Sequence, residues 1–262
     1  MPLNIDPEIV RLDSFASSAA LARSHIEGRG FFAWRGALTS SALREVQCVI
    51  DRLMNTPSIV ARRFLHVQRD SRDPEVLRQL ELSHIALLSR TARRSEVLAI
   101  CRQLAADILG APAYYLFDHA IYKMPKNHMG TPWHQDQAYL GLNTTVRSVH
   151  FWVPFQDTCE ENGTLLFADQ KPEGLLPHKQ ADPAVSGLLC VSDAPTGPIH
   201  VLHAERGDIS IHTNLTLHAA GKNNSDQTRK AWIVHFGDRP AWYKYWLQLR
   251  SRFASNPDQN YV

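Results

Sequence analysis

The spacing of apolar positions changes near Gly110. Before it, helical periodicity dominates. Thr39 or Ser40 can cap a helix that carries Leu43, Val46, Val49, Ile50 and Leu53, and Ser95 can cap another through Leu98, Ile100, Leu104 and Ile108. Gly110 suits the left-handed residue that closes such a helix. A short aromatic strand with Phe31, Phe32 and Trp34 is expected between Gly28 and Gly36. Asp73-Pro74-Glu75 combines a capping side chain with a first-turn proline, which predicts a helix from there to about Ser89. Residues 55–72 are rich in arginine and have no period, so a loop or lid is expected there.

Beyond Gly110 the period is that of strands. Ala113 to Met124 is rich in Tyr, Phe and Ile, and Val146 to Phe155 alternates Val149, Phe151, Val153 and Phe155 with His150 and Trp152 on the opposite face. Further strands are expected at Gly163 to Phe167, Pro198 to His203, Asp208 to His212, Thr216 to Ala219 and Arg229 to Gly237. Many short strands with turn signals between them predict a sandwich or barrel. Residues 169–187 have Pro172, Gly174, Pro177 and Pro183 without a period, which suits a loop over a site. The expectation is one domain over residues 1–262: a strand and supporting helices in 1–112, a β core in 113–238, and a C-terminal helix and tail in 239–262. In that last helix Trp242, Tyr243, Tyr245, Trp246 and Leu249 form an aromatic stripe suited to docking on its own core or on a second copy, giving a monomer or homodimer.

Composition narrows the class. The 262 residues are 44% hydrophobic and 21% charged, an ordinary globular balance that excludes disorder over the whole chain. No apolar run approaches the roughly 18 residues of a membrane span, and the mean hydropathy of -0.27 agrees. Lys plus Arg at 28 against Asp plus Glu at 26 gives +2, so there is no global field to hold nucleic acid. The pairs Arg62-Arg63 and Arg93-Arg94 read as solvated faces. Cys48, Cys101, Cys159 and Cys190 form no C-x-x-C pair and are expected to be reduced, the first two buried on helices. The first residues have neither the basic nor the apolar region of a secretion signal, so a cytoplasmic protein with a small-molecule partner is expected, without nucleic acid or membrane.

Candidate chemistry rests on position, because thirteen histidines include many that only pack. In Pro132-Trp133-His134-Gln135-Asp136, an imidazole and a carboxylate two residues apart point to one face of extended backbone and can share a metal ion. Downstream, Gly207 to His212 leads to Leu217-His218-Ala219-Ala220-Gly221, then through a turn-rich segment to Arg229, eleven residues beyond His218. Two His and one Asp make a facial triad that leaves three positions of a non-haem Fe(II) open. A 2-oxo acid chelating that iron would leave a distal carboxylate, which a guanidinium can grip with two parallel hydrogen bonds.

His134-x-Asp136, Trp152 on the following strand, the turn Glu161-Asn162-Gly163-Thr164-Leu165, and His218 followed by Arg229 resemble the phytanoyl-CoA dioxygenase (PhyH) family of Fe(II)/2-oxoglutarate oxygenases. The segment Gly30 to Leu53 is similar to that family's opening, so the resemblance runs from about residue 28 to 238. It implies a mainly β fold with N-terminal helices buttressing one sheet of a double-stranded β-helix, the cupin-like jelly roll. It further implies Fe(II) on His134, Asp136 and His218, the 2-oxoglutarate C5 carboxylate on Arg229, and Trp152 lining the cosubstrate pocket. O2 and 2-oxoglutarate are then consumed to give succinate and CO2 while an unactivated C–H bond of a natural product or an acyl or amino-acid type substrate is hydroxylated, desaturated or cyclised. Related halogenases replace the carboxylate ligand by a small residue, so Asp136 favours these outcomes over halogenation. Two features depart from the pattern: Ala220 stands where some members have a serine, and Ala168-Asp169-Gln170-Lys171 stands where a Pro-Gly-Ser-His turn is common.

Other residues keep two readings. Lys123 reaches cosubstrate or substrate, or ends a strand in solvent, and Trp152 lines the pocket or packs a core. Asn127, His128, Gln137 and Tyr139 flank the metal motif and are candidates to meet substrate, as is Arg147 if it does not pair with a neighbouring acid. His150 and His212 are read as hydrogen-bonded core residues. Two other functions share the same residue types: a zinc hydrolase on a cupin-like barrel, and a jelly roll that binds 2-oxoglutarate without catalysis.

Overall fold

The computed structural model describes residues 4–5, 15–70, 73–140, 146–170, 173–182, 188–240 and 242. Its elements are numbered here in chain order. One sheet has seven strands in the spatial order β2 (Phe31–Trp34), β12 (Ile209–Thr213), β7 (Ser148–Pro154), β14 (Arg229–Gly237), β5 (Tyr114–Lys123), β4 (Leu77–Ser83) and β3 (Leu65–Arg69). The other has five: β1 (Asn4–Ile5), β11 (Ile199–Val201), β8 (Leu165–Ala168), β13 (His218–Ala220) and β6 (Thr131–His134). A hairpin of β9 (His178–Gln180) and β10 (Leu189–Val191) stands apart. The fold is mainly β, a jelly roll with N-terminal helices.

Alternation along the seven-stranded sheet separates two environments. One face carries Val149, Phe151 and Val153 of β7, Trp232, Val234 and Phe236 of β14, and Ile211 of β12. These pack on Leu43, Val46 and Ile50 of α2 (Ser40–Asn55) and on Val97, Cys101 and Leu104 of α6 (Glu96–Leu109). Thr39 and Ser95 cap these two helices, and Gly110 closes the second at φ 64°. The opposite face looks toward the smaller sheet, where Phe31, Trp152, Ala231 and Ile233 meet Leu165, Phe167 and Ala220. Polar side chains also line this interior.

Four expectations are corrected. The segment 169–187, expected to be a loop, contains the strand β9. The helix from Asp73 is replaced by β4 and a single turn, α4 (Ile85–Leu88). Asp73 instead closes a hairpin turn: its carboxylate accepts from Glu75 N and its carbonyl from Val76 N. Pairing of β4 on both sides, with β3 and β5, then overrides the local helix signal. The supposed loop at 55–72 contains α3 (Ile59–Arg62) and β3. As an edge strand exposed along much of its length, β3 needs no apolar alternation. Cys48 lies on the solvent side of α2, not in the core. Helix α1 (Phe15–Arg29) was not expected because no one-sided apolar stripe announces it, and α5 (Arg90–Arg93) is one further turn. The aromatic-striped C-terminal helix falls, apart from Trp242, outside the described residues. No described helix is long and apolar enough to cross a membrane.

Candidate active site

Strands β6 and β13 run antiparallel with His134 directly opposite His218. The register sets the two imidazoles side by side, ring centroids 4.2 Å apart. Asp136 follows β6, before the short α7 (Gln137–Leu140), and its Oδ1 lies 3.3 Å from His134 Nε2 and 3.7 Å from His218 Nε2. Each imidazole donates its Nδ1–H to a carbonyl two residues earlier, Pro132 O at 2.8 Å and Thr216 O at 3.0 Å. That bond fixes the tautomer and leaves the Nε2 lone pair for a metal. Burial first, then the neighbouring His134 and His212, hold His218 well below the usual imidazole range, so it is neutral and ready to ligate.

The second carboxylate oxygen is occupied by protein. His150 Nδ1 donates to Asp136 Oδ2 at 2.5 Å, His212 Nε2 lies 3.2 Å from the same atom, and Ser148 Oγ is 2.9 Å from His150 Nε2. Burial opposes ionisation of Asp136, but the imidazoles of His218 and His150, the latter through its hydrogen bond as well, outweigh it and hold the carboxyl well below its ordinary range. Asp136 therefore presents Oδ1 alone to an ion. The expectation that His150 and His212 are hydrogen-bonded core residues holds for their burial, yet their shared partner is the carboxylate of Asp136, a candidate metal ligand. Asp136, His150 and His235 form a second group with ligand atoms close enough for a metal. Both nitrogens of His150 are committed to Ser148 and Asp136, so His134, Asp136 and His218 are the better ligand set.

Two cations lie at one end of the same interior. Arg229 opens β14 directly across from Lys123, the last residue of β5. Their exposures are 2% and 1%, so the solvent-facing reading of Lys123 is excluded. Lys123 Nζ donates to Gly221 O at 2.9 Å, and the guanidinium lies 5.7 Å from the Trp152 ring. Arg229 Nε is buried without a hydrogen-bond partner. Burial lowers Arg229 to about 10, and burial with the adjacent Arg229 pushes Lys123 well below the usual amine range. No carboxylate among the described residues offsets either charge. Two buried like charges are costly unless an anion joins them, and a carboxylate of 2-oxoglutarate is such an anion. The donor set thus fits both the metal and the cosubstrate.

The Glu161-Asn162-Gly163-Thr164-Leu165 turn braces this end. The Asn162 side chain accepts from Cys159 N and donates to Asp157 O, while Gly221 N donates to Thr164 O at 2.9 Å. Gly163 adopts φ +81°, and a Cβ there would sit 2.6 Å from Gly221 O, the carbonyl that receives Lys123. Glycine is required by both backbone and space.

The flanking candidates separate. Tyr139 is half-exposed and its ring meets His134 edge-on at 5.7 Å. Asn127 is buried and spends its amide on Arg78 O and Met129 N, and Gln137 braces Asn214 through a 2.6 Å bond. His128 is exposed. The Arg147 guanidinium pairs with Asp238 and donates to Leu109 O, so a neighbouring acid takes it. Sequence reasoning did not single out His235, His119 or Glu81. The signal was present in the alternation of His119, Ile121 and Lys123 along β5 and of Ile233 and His235 along β14.

Comparison with known proteins places the fold. The EvdO2 protein of Micromonospora carbonacea var. aurantiaca, solved with 2-oxoglutarate, superposes with a TM-score of 0.70 at 22% identity, over 84% of this chain and 90% of that one. The epimerase SnoN, solved with Fe3+, alpha-ketoglutarate and nogalamycin RO, does so with a TM-score of 0.67 at 17% identity, over 85% and 84%. A phytanoyl-CoA dioxygenase domain-containing protein 1 homolog of Dictyostelium discoideum is 30% identical over 132 residues, 46% of each chain, so the match spans about half of that relative. The family model for phytanoyl-CoA dioxygenase (PhyH) matches residues 26–231. With that match over most of its length, the chain belongs to the phytanoyl-CoA dioxygenase family.

Proposed function

We propose that this oxygenase uses His134, Asp136 and His218 to hold Fe(II), and Arg229, Lys123 and Trp152 to hold 2-oxoglutarate, in order to hydroxylate an unactivated C–H bond of a small molecule. The observation that carries the reading is the unpaired Arg229–Lys123 couple in the same interior as the His-Asp-His cluster. When bound, iron with 2-oxoglutarate and O2 supplies the oxidising power, leaving succinate and CO2. The chain's own residues supply geometry. Trp152 and Arg229 fix the far carboxylate, and Lys123 provides the second positive contact that Ala220 cannot give. His150 and His212 restrain Asp136 to one ligating oxygen, which leaves a neighbouring position for a chelating cosubstrate. The buried walls around Trp152, Phe167 and Ile233 exclude water from the reacting end.

A zinc hydrolase would have no use for two buried cations beside its ligands, and a pure binding protein would not need an open face on the metal. The test is iron analysis, an anaerobic 2-oxoglutarate titration and succinate release in air. Retained iron, saturable 2-oxoglutarate binding and oxygen-dependent succinate are expected. His134→Ala should lose the iron, and an unchanged iron content in that variant sinks the assignment.

A further inference from the structure

The end of the interior away from Arg229 is built from groups that the cosubstrate does not use. Along β5 the face toward the smaller sheet is half-open at Phe117, His119 and Ile121, whereas Asp118, Ala120 and Tyr122 on the other face are buried. Glu81 of β4 reaches this face and its Oε1 lies 2.6 Å from His119 Nδ1, with side chains 28% and 18% exposed. Glu81 Oε2 makes no hydrogen bond among the described residues. His235 stands beside the pair, its ring 5.5 Å from His119 and 3.9 Å from His150. It is 6% exposed, and neither Nδ1 nor Nε2 has a hydrogen-bond partner.

We propose that this recess is the substrate subsite and that it selects a neutral, hydroxyl-bearing molecule, with hydroxyl groups on His235 and Glu81 Oε2 and an apolar ring face on Phe117. The proposal rests on the oxygenase reading above, since it places the substrate on the far side of the metal from Arg229.

The chemistry of the recess excludes the other classes. An anionic group has no free cation to meet here, because the His119 imidazole is already paired with Glu81. Glu81 lies below its ordinary value because His119, by charge and hydrogen bond, outweighs its burial. A cation has no net charge to meet, because His119 is raised by Glu81 against its own burial and already balances that carboxylate. A wholly apolar group would leave His235 and Glu81 Oε2 without hydrogen-bond partners. His235 is kept neutral by burial first and by His150, so it offers one donor and one acceptor. A hydroxyl is both acceptor and donor, and the edge and face of a hydroxylated ring match the polar pair and the phenyl ring together.

The test is equilibrium dialysis of the full chain with Fe(II) and 2-oxoglutarate under anaerobic conditions, reading three chromophores: 4-nitrophenyl β-D-glucoside, 4-nitroanisole and 4-nitrophenylacetate. The glucoside should be retained about tenfold more tightly than either comparator, the size expected of one good hydrogen bond. Glu81→Gln and His235→Phe should each lose about tenfold for the glucoside, although Phe preserves the ring volume of a merely packed histidine. Equal or tighter binding of a comparator, no binding of the glucoside, or unchanged binding in both variants overturns the proposal. Iron content and 2-oxoglutarate uptake are read in the same samples. If those fail in the unmodified chain while glucoside discrimination persists, the oxygenase reading falls and this subsite stands.

Discussion

Replacing Arg229 by methionine should stabilise the protein without ligands while destroying its hold on 2-oxoglutarate. Arg229 is 2% exposed, its Nε has no partner, and it faces Lys123 across the β14–β5 pair. An uncompensated buried ion costs several kcal/mol even after relaxation. The stacking of the guanidinium over Trp152, worth up to about 2 kcal/mol in a desolvated site, returns part of that. Methionine fills the volume, keeps the apolar contact with Trp152 and relieves Lys123 of a like charge. A net gain of about 1–3 kcal/mol is expected, and at about 2–4 °C per kcal/mol for a chain of this size the midpoint should rise by about 2–12 °C. The opposite holds with cosubstrate present. Removing one partner of a buried carboxylate–guanidinium pair costs about 3–5 kcal/mol, which is about 10²–10³-fold or more in Kd. Thermal unfolding of metal-loaded protein with and without 2-oxoglutarate checks both signs at once. A variant that melts lower than the parent, yet is still stabilised by 2-oxoglutarate to the same degree, refutes the assignment of Arg229 as an anion clamp.

Three further outcomes follow from neighbouring contacts. His150→Phe removes the donor that restrains Asp136 Oδ2, so iron affinity in a chelator competition should fall about 10–100-fold, as for other outer partners of metal ligands. Lys123 has its charged form disfavoured by burial and then by Arg229. An arriving carboxylate favours that form, so 2-oxoglutarate binding should take up protons at pH values below the usual amine range, seen as a calorimetric heat that varies with buffer ionisation enthalpy and vanishes in Lys123→Met. Gly163→Ala places a methyl 2.6 Å from Gly221 O at φ +81°, which should cost about 1–3 kcal/mol of stability and weaken 2-oxoglutarate binding by displacing the carbonyl that orients Lys123. Denaturant unfolding with a parallel cosubstrate titration measures both, and wild-type values in the two would remove the bracing role of the turn.

Periodicity and short motifs by themselves determined the strands β5, β7, β8, β11, β12, β13 and β14, the two capped helices against the larger sheet, and the order His134, Asp136, His218, Arg229 along the chain. These are local properties: a period of two, a capping hydroxyl, and ligands two residues apart each leave a trace within a few positions. The hairpin at β3–β4 left a misleading trace, because Asp73 and Pro74 serve a turn as well as a helix, and only pairing with β5 decides between them. Distances between segments were likewise invisible. That Lys123 meets Arg229, that His150 and His212 converge on one oxygen of Asp136, and that His235 is left without a hydrogen-bond partner beside His119 depend on strand register across β5, β14, β7 and β12. Register is set by the summed packing of both sheet faces, so the tertiary structure alone decided which of the alternating histidines share the Asp136 carboxylate and which is left unpartnered.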